Sequence, residues 1–269
     1  AIGIVQYFNI ATPLNAFVVR LHSAAIFGNL AQPNHFAAYT TLGLLSLAGL
    51  HSRDRLPLSV AVLCSLPLLF VLGVSGSRSP WLYLLAAFGC AIWLRLISAD
   101  RAARRLILWT GAFLLLYYAI QIAVGAGWLK PSGHAAVTAM ERLFSGADSV
   151  TARIGLWRAA WSMALDHPFF GVGWGAFAQH YFAVIAEPGA TALPGLYNNA
   201  HNILLQLLAE TGVVGLMLFL PPLVAWAVAV LKTRPDVRQW WLLATLAVFA
   251  IHSMLEYPLW YAYFLGIAA

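Results

Sequence analysis

The chain has 269 residues, of which 62% are hydrophobic and 9% charged, and its mean hydropathy is +0.80. A soluble domain of this length does not have that composition, whereas apolar runs of about 17–25 residues are what a bilayer selects. The formal charge of +6 is scattered over short loops, which excludes a nucleic-acid face and makes it topology information.

Residues 1–28 are apolar but interrupted by Pro13, Asn15, Arg20 and His22, the pattern of an interfacial piece or of the end of an earlier segment. A polar island from Gly28 to Phe36, with Pro33 inside it, leads into a first span over about 36–50. The charged loop 51–55 precedes a second span over about 56–74. Next comes the turn Ser75-Gly76-Ser77-Arg78-Ser79-Pro80, whose proline suits the first turn of a third span over about 80–97. The basic loop 98–105 leads to a fourth span over about 106–126. Residues 127–202 then form a long segment without a span, with turns at Gly171 to Gly175 and at Pro194-Gly195. Within it Ile154, Trp157, Trp161 and Leu165 share a stripe of an amphipathic helix, resting either on the membrane or on the body of the protein. A fifth span runs from 203 to about 231, bent at Pro221-Pro222, a sixth covers about 239–255, and the apolar tail 257–269 begins another. Cys64 and Cys90 lie inside apolar runs and read as small hydrophobes rather than a disulfide.

The expected fold is all-α, a polytopic transmembrane helical bundle. Its N-terminal part is 1–126, its large loop 127–202, and its C-terminal spans lie in 203–269. The chain opens on Ala1 without a basic leader and stops within an apolar run, so it reads as a fragment of a longer multi-pass protein.

The loops 51–55, 98–105 and 232–238 carry Arg53, Arg55, Arg101, Arg104, Arg105, Lys232, Arg234 and Arg238, and the positive-inside rule makes them cytoplasmic. The other span ends then share the outer side: Gln32, Asn34 and His35, the turn with Arg78, the whole of 127–202, and His252 with Glu256. This one-sided gathering of polar residues, found without a motif, argues for a site. A transporter would place ionisable residues at mid-membrane depth and show inverted repeats. Here only Glu210 lies well inside a span and no repeat is visible. A plain scaffold leaves the polar side unexplained.

Outside the cell, transfer chemistry needs a substrate that carries its own energy, as a lipid-linked pyrophosphate sugar does. Arginine's planar fork suits the anionic leaving group. Arg78 lies in a turn whose amides could also face a phosphate, against the plainer role of a snorkelling anchor. Arg153 and Arg158 lie on the amphipathic helix, where a solvated or headgroup-facing role is the alternative. His35 reads equally well as a substrate contact or as a polar residue at a helix start. His252 and Glu256, four apart, read somewhat better as a bonded pair on one helix face than as substrate contacts. Glu141, Asp148, Asp166 and Glu187 are scattered without ligand spacing, so neither a metal site nor a cofactor is expected. The loop aromatics, among them Trp174, Phe177, Tyr181 and Tyr197, fit packing first and sugar stacking second.

The chain is organised around the stretch from His201-Asn202 to Gly212 and Gly215. At about 100° per residue, Gly212 and Gly215 fall near the face of His201, together with Leu205 and Leu208, while Glu210 lies opposite. Small residues on one stripe admit a neighbouring helix, so that stripe faces protein. A histidine there, where membrane meets water, suits a proton acceptor, and Asn202 beside it could orient the acceptor or the sugar ring.

His201-Asn202, nine residues, Gly212, two residues, Gly215 resembles the signature of the O-antigen ligase superfamily of bacterial inner-membrane glycosyltransferases. Two further stretches, Asn29 to Ala37 and Leu255 to Leu265, resemble the branch that glycosylates proteins such as pilins on Ser/Thr. The resemblance implies a GT-C-like bundle with a catalytic His201 and arginines against undecaprenyl pyrophosphate, here Arg78, Arg153 and Arg158. Gln32, Asn34, His35, Asn202 and Glu256 are the further expected substrate contacts. The implied reaction is en bloc, inverting transfer of a glycan in the periplasm, independent of metal and cofactor. Its partners would be a lipid-linked oligosaccharide donor, the membrane lipids, and an acceptor that is a pilin-type protein, a lipid A core sugar or a growing polysaccharide.

Overall fold

The computed structural model describes residues 1–13, 15–19, 25–30, 32–98, 100–129, 147–185, 197–233 and 235–268. Arg20, His22, Arg234, Glu141, Glu187 and the Pro194-Gly195 turn lie outside the described residues, and of the Asp148 side chain nothing is described. Among the described residues, ten α-helices follow in chain order: α1 (Ile2–Phe8), α2 (Pro33–Ser52), α3 (Leu58–Gly73), α4 (Ser79–Ile97), α5 (Arg101–Gly125), α6 (Ala147–Asp166), α7 (Phe177–Ile185), α8 (Ile203–Lys232), α9 (Val237–Ser253) and α10 (Ala262–Ala268). Among the described residues the regular structure is entirely helical, as lipid requires of a backbone that must satisfy itself within each segment. The chain divides into two compact units, one of Ala1–Ser145 with Pro235–His252, the other of Gly146–Arg234 with Ser253–Ala269.

In the first unit, α2 to α5 pack on one another and α9 joins them through tryptophan pins. Trp240, fully buried, donates its indole N–H to the Ala87 carbonyl at 3.1 Å, and Trp241 donates to Ser46 Oγ at 3.1 Å. Other polar groups tie helix ends. Gln121 donates to the Gly73 carbonyl at 2.6 Å, and Gln6, buried on α1, exchanges two 2.8 Å bonds with the backbone of Gly28. Starts are encoded locally: Pro33 and Pro80 stand in the first turns of α2 and α4, and Asp100 caps α5 by accepting from the Ala102 N–H at 3.2 Å.

The helices fall within a few residues of the expected spans, with three differences. Only α4, α5 and α8 are long and apolar enough to cross a membrane among the described residues. The helix α3 is a shorter apolar one, α2 carries polar Thr40, Thr41 and Ser46, and α9 has 17 residues. On α6 the expected stripe is not the packed one. The buried face consists of Leu156, Ala159, Ala160, Met163 and Ala164, whereas Ile154, Trp161 and Leu165 are exposed. Small residues let α6 lie close on its own unit, and the larger stripe is presented outward. Finally, α8 is interrupted at Gly212 (φ 64°, ψ −166°), while Pro221 and Pro222 sit inside it without non-helical dihedrals. None of its most apolar stretch is buried.

Candidate functional site

The second unit is built on that interruption. With Gly212 non-helical, two bonds that an unbroken helix would make, from the Val213 and Val214 amides to the carbonyls of Ala209 and Glu210, are replaced. A loop supplies all four partners. Val213 donates to the Pro168 carbonyl at 2.8 Å and Val214 to that of Phe169 at 3.1 Å. In return Val172 donates to the Ala209 carbonyl at 2.8 Å and Gly173 to that of Glu210 at 3.0 Å. The crossing is backbone on backbone. A Cβ on Gly212 would strike the Phe169 carbonyl, and one on Gly171 (φ 67°) would strike the backbone of Ala209 and Glu210. Gly212 is thus a break that admits a loop. The expected stripe does not form: Gly212 meets the Phe169 backbone of a loop, Gly215 faces Thr211 of its own helix, and His201 precedes α8.

His201 precedes α8 by two residues and has a positive φ of 49°, a conformation uncommon outside glycine. Its amide donates to Asn199 Oδ1 at 3.3 Å, and the neighbouring Ala200 amide donates to Gln206 Oε1 at 2.9 Å. Asn202 is the N-cap: its carboxamide oxygen accepts from the amides of Leu204 and Leu205 at 3.1 and 3.2 Å. The substrate contact expected of Asn202 therefore competes with a cap that already uses its oxygen.

The His201 side chain is 25% exposed, and its Nδ1 lies 2.9 Å from Oε2 of Glu256, which is 7% exposed. An ionised carboxylate only accepts, so Nδ1 is the donor of this bond, and in the neutral ring that leaves the lone pair on Nε2. The other oxygen of Glu256 lies 3.5 Å from Arg153 Nη2, which also reaches the Leu255 carbonyl at 3.5 Å. Three of the expected residues thus meet: His201, Glu256 and Arg153. Arg158, five residues further along α6, is exposed and has no partner among the described residues.

Beside this trio lies a cleft of 390 Å³, lined by Trp174, Asn199, Gln206, Glu210, Tyr257 and Trp260 among others. Glu210, 3% exposed, accepts from the Phe177 amide at 3.2 Å, a carboxylate at the start of α7. Sequence reasoning missed it by placing it on the far face of an unbroken helix; the glycines at 171–175 were the signal that a loop crosses there. Burial, with the charge of Glu210 adding, holds the Tyr257 hydroxyl well above the ordinary phenol range, so it stays protonated and able to donate. Below them Phe177, Tyr181, Ala200 and Ala209 pack on the small face of α6.

The remaining expected residues belong to the first unit. Asn34 Oδ1 accepts from Ser77 Oγ at 2.7 Å. His35 is 2% exposed and meets the His252 ring edge-on at 5.2 Å. Gln32 is half-buried, and Arg78 is half-buried at the N-cap of α4. Within the turn, the Ser77 and Ser79 amides donate to the hydroxyls of Ser75 and Ser77 at 3.3 and 3.4 Å. Glu256 does not share a helix face with His252, because α9 ends at Ser253; the Nδ1 of His252 lies 2.8 Å from the Tyr83 hydroxyl.

The profile described as O-antigen ligase matches residues 37–220, which include Arg153 and His201. The chain belongs to the O-antigen ligase family. A second profile, the C-terminal part of a virulence factor membrane-bound polymerase, matches residues 240–269 and so includes Glu256. The family member is similar to two proteins of Acinetobacter baylyi. It is 26% identical to a general O-oligosaccharyltransferase over 274 aligned residues, covering 98% of this chain and 46% of that protein. It is 24% identical to a ComP-specific O-oligosaccharyltransferase over 239 residues, covering 88% of this chain and 41% of that protein. The chain thus spans somewhat under half the length of these relatives.

Proposed function

We propose that the protein transfers a glycan en bloc from undecaprenyl pyrophosphate to a hydroxyl of a protein Ser/Thr, on the periplasmic face of a bacterial inner membrane. The observation that carries the chemistry is the 2.9 Å bond between His201 Nδ1 and Glu256 Oε2 beside a partly exposed imidazole. With Nδ1–H held by the carboxylate, Nε2 takes the proton of the acceptor hydroxyl as its oxygen attacks the anomeric carbon. The bond from that carbon to the pyrophosphate breaks and the electron pair leaves with the phosphate. One displacement inverts the anomeric configuration. Glu256 then stabilises the imidazolium that forms.

The leaving group gathers negative charge, and arginine answers it. Both bonds of Arg153 come from Nη2, and a guanidinium carries five N–H groups, so donors remain for phosphate. Arg78 is the second arginine in this reading. Glu256 has one oxygen against His201 and the other against Arg153, which supports a reading in which it serves the base rather than a metal ion.

The protein acceptor is supported by the names of the two similar proteins, both O-oligosaccharyltransferases. The profile descriptions, O-antigen ligase and polymerase, favour a second reading in which the acceptor is a sugar of lipid A core or of a growing chain. Co-expression of the intact protein with a lipid-linked glycan pathway and a pilin decides between them. Intact mass of the pilin should rise by one glycan. An unshifted pilin together with glycan on lipid A core would overturn the protein acceptor.

A further inference from the structure

We propose that the cleft lined by Trp174 and Trp260 is a sugar subsite, holding pyranose rings of the donor glycan beyond the one that reacts; this rests on the transferase reading above. The two indoles lie 6.1 Å apart with planes 22° from parallel, yet are 68% and 54% exposed. Two large rings held nearly parallel and left uncovered offer flat apolar faces to a ligand that is itself flat and C–H-bearing on its faces. The rest of the cleft is polar: Asn198, Asn199 and Gln206 contribute carboxamides and Glu210 a buried carboxylate. Carboxamides both donate and accept, as sugar hydroxyls do. Tyr257, kept protonated by burial, adds a donor.

The same lining argues against other occupants. Glu210 repels a phosphate, so the pyrophosphate lies elsewhere. Lipid tails would leave the exposed carboxamide of Asn198 without water, which is costly. Position supplies the order. The Tyr257 ring lies 6.4 Å from that of His201 and 5.0 Å from that of Trp260, which is followed by Trp174. Each step is comparable to one sugar residue. A glycan whose reducing-end sugar stands at His201 would therefore lay its following rings along Tyr257 and against the indole pair.

The test uses the intact protein in detergent with two synthetic donors on the same polyprenyl pyrophosphate, one bearing a single N-acetylhexosamine, the other a pentasaccharide that begins with it. Initial rates are taken against donor concentration for wild type, Trp174→Ala, Trp260→Ala and Trp260→Phe. The alanine variants should raise KM for the pentasaccharide donor about 3- to 10-fold and leave the monosaccharide donor unchanged, and Trp260→Phe should restore most of the loss. Equal losses on both donors would make the pair a support of the fold and overturn the subsite, as would no loss on either. A KM raised for the acceptor protein at saturating donor would assign the cleft to the acceptor and overturn it too. Absence of transfer from either donor by wild type would instead sink the transferase reading itself, and the subsite with it.

Discussion

Two histidine clusters stand in the two units, and they differ in what surrounds the ring. In the first, His252 is fully buried, 2.8 Å from the Tyr83 hydroxyl and edge-on to His35, itself 2% exposed. In the second, His201 keeps a quarter of its side chain exposed and is held by Glu256, with Arg153 behind. A buried imidazole beside a phenol finishes a packed interior; an accessible one held by a carboxylate is the arrangement the proposed base needs. Residue type alone does not separate the two, because the chain has eight histidines. The partner and the exposure do.

The sharpest way to break this comparison is to remove both rings in turn. His201→Ala should reduce glycan transfer by about 10²- to 10⁴-fold with membrane insertion intact, the usual range for a lost general base. Near-normal pilin glycosylation by a stably inserted variant would refute the assignment. Glu256→Gln keeps the shape and loses the charge. A charge-assisted bond is worth about 1.5–3 kcal/mol, so kcat should drop by about 10- to 150-fold, measured at saturating donor and acceptor. Arg153→Ala and Arg78→Ala should each cost about tenfold or somewhat more at limiting donor, with lysine recovering only part, because an ammonium lacks the planar fork. Donor dependence unchanged in both alanine variants would return the arginines to anchoring. His252→Phe should be the mildest: transfer within about twofold of wild type, with unfolding easier by about 1 kcal/mol for the lost Tyr83 contact, read from thermal denaturation in detergent. A large kcat loss in His252→Phe would erase the contrast between the clusters.

Much of this was readable from the chain. The apolar runs locate the helices to within a few residues, since nothing else suits a bilayer, and His201 stands out as a polar residue ahead of such a run. Its partner was hidden by distance. Glu256 is 55 positions away in sequence, and His252 four residues before it offers a nearer match that holds only if α9 continues. Whether a helix ends at 253 or 257 depends on tertiary packing, which periodicity does not report. Glu210 and Gly212 were misplaced for one reason: a 3.6-residue pattern assumes an unbroken helix. The glycine that breaks it looks the same as one that lets a helix pack closely. The chemistry of the Ser75 turn was likewise undetermined, because serines able to leave amides open are equally able to occupy them.

The backbone crossing at Gly171 and Gly212 has a consequence for biogenesis. Synthesis proceeds from the N-terminus, so Pro168 to Gly173 emerge before the residues around 209–214 that complete their hydrogen bonds. Until the helix beginning at Ile203 is in place, the segment before it has carbonyls and amides without their final partners, and His201 has no Glu256 beside it. Each unit is completed by residues beyond 234, Pro235–His252 in one and Ser253–Ala269 in the other. A chain ending before residue 250 would therefore carry His201 without the carboxylate that holds its ring.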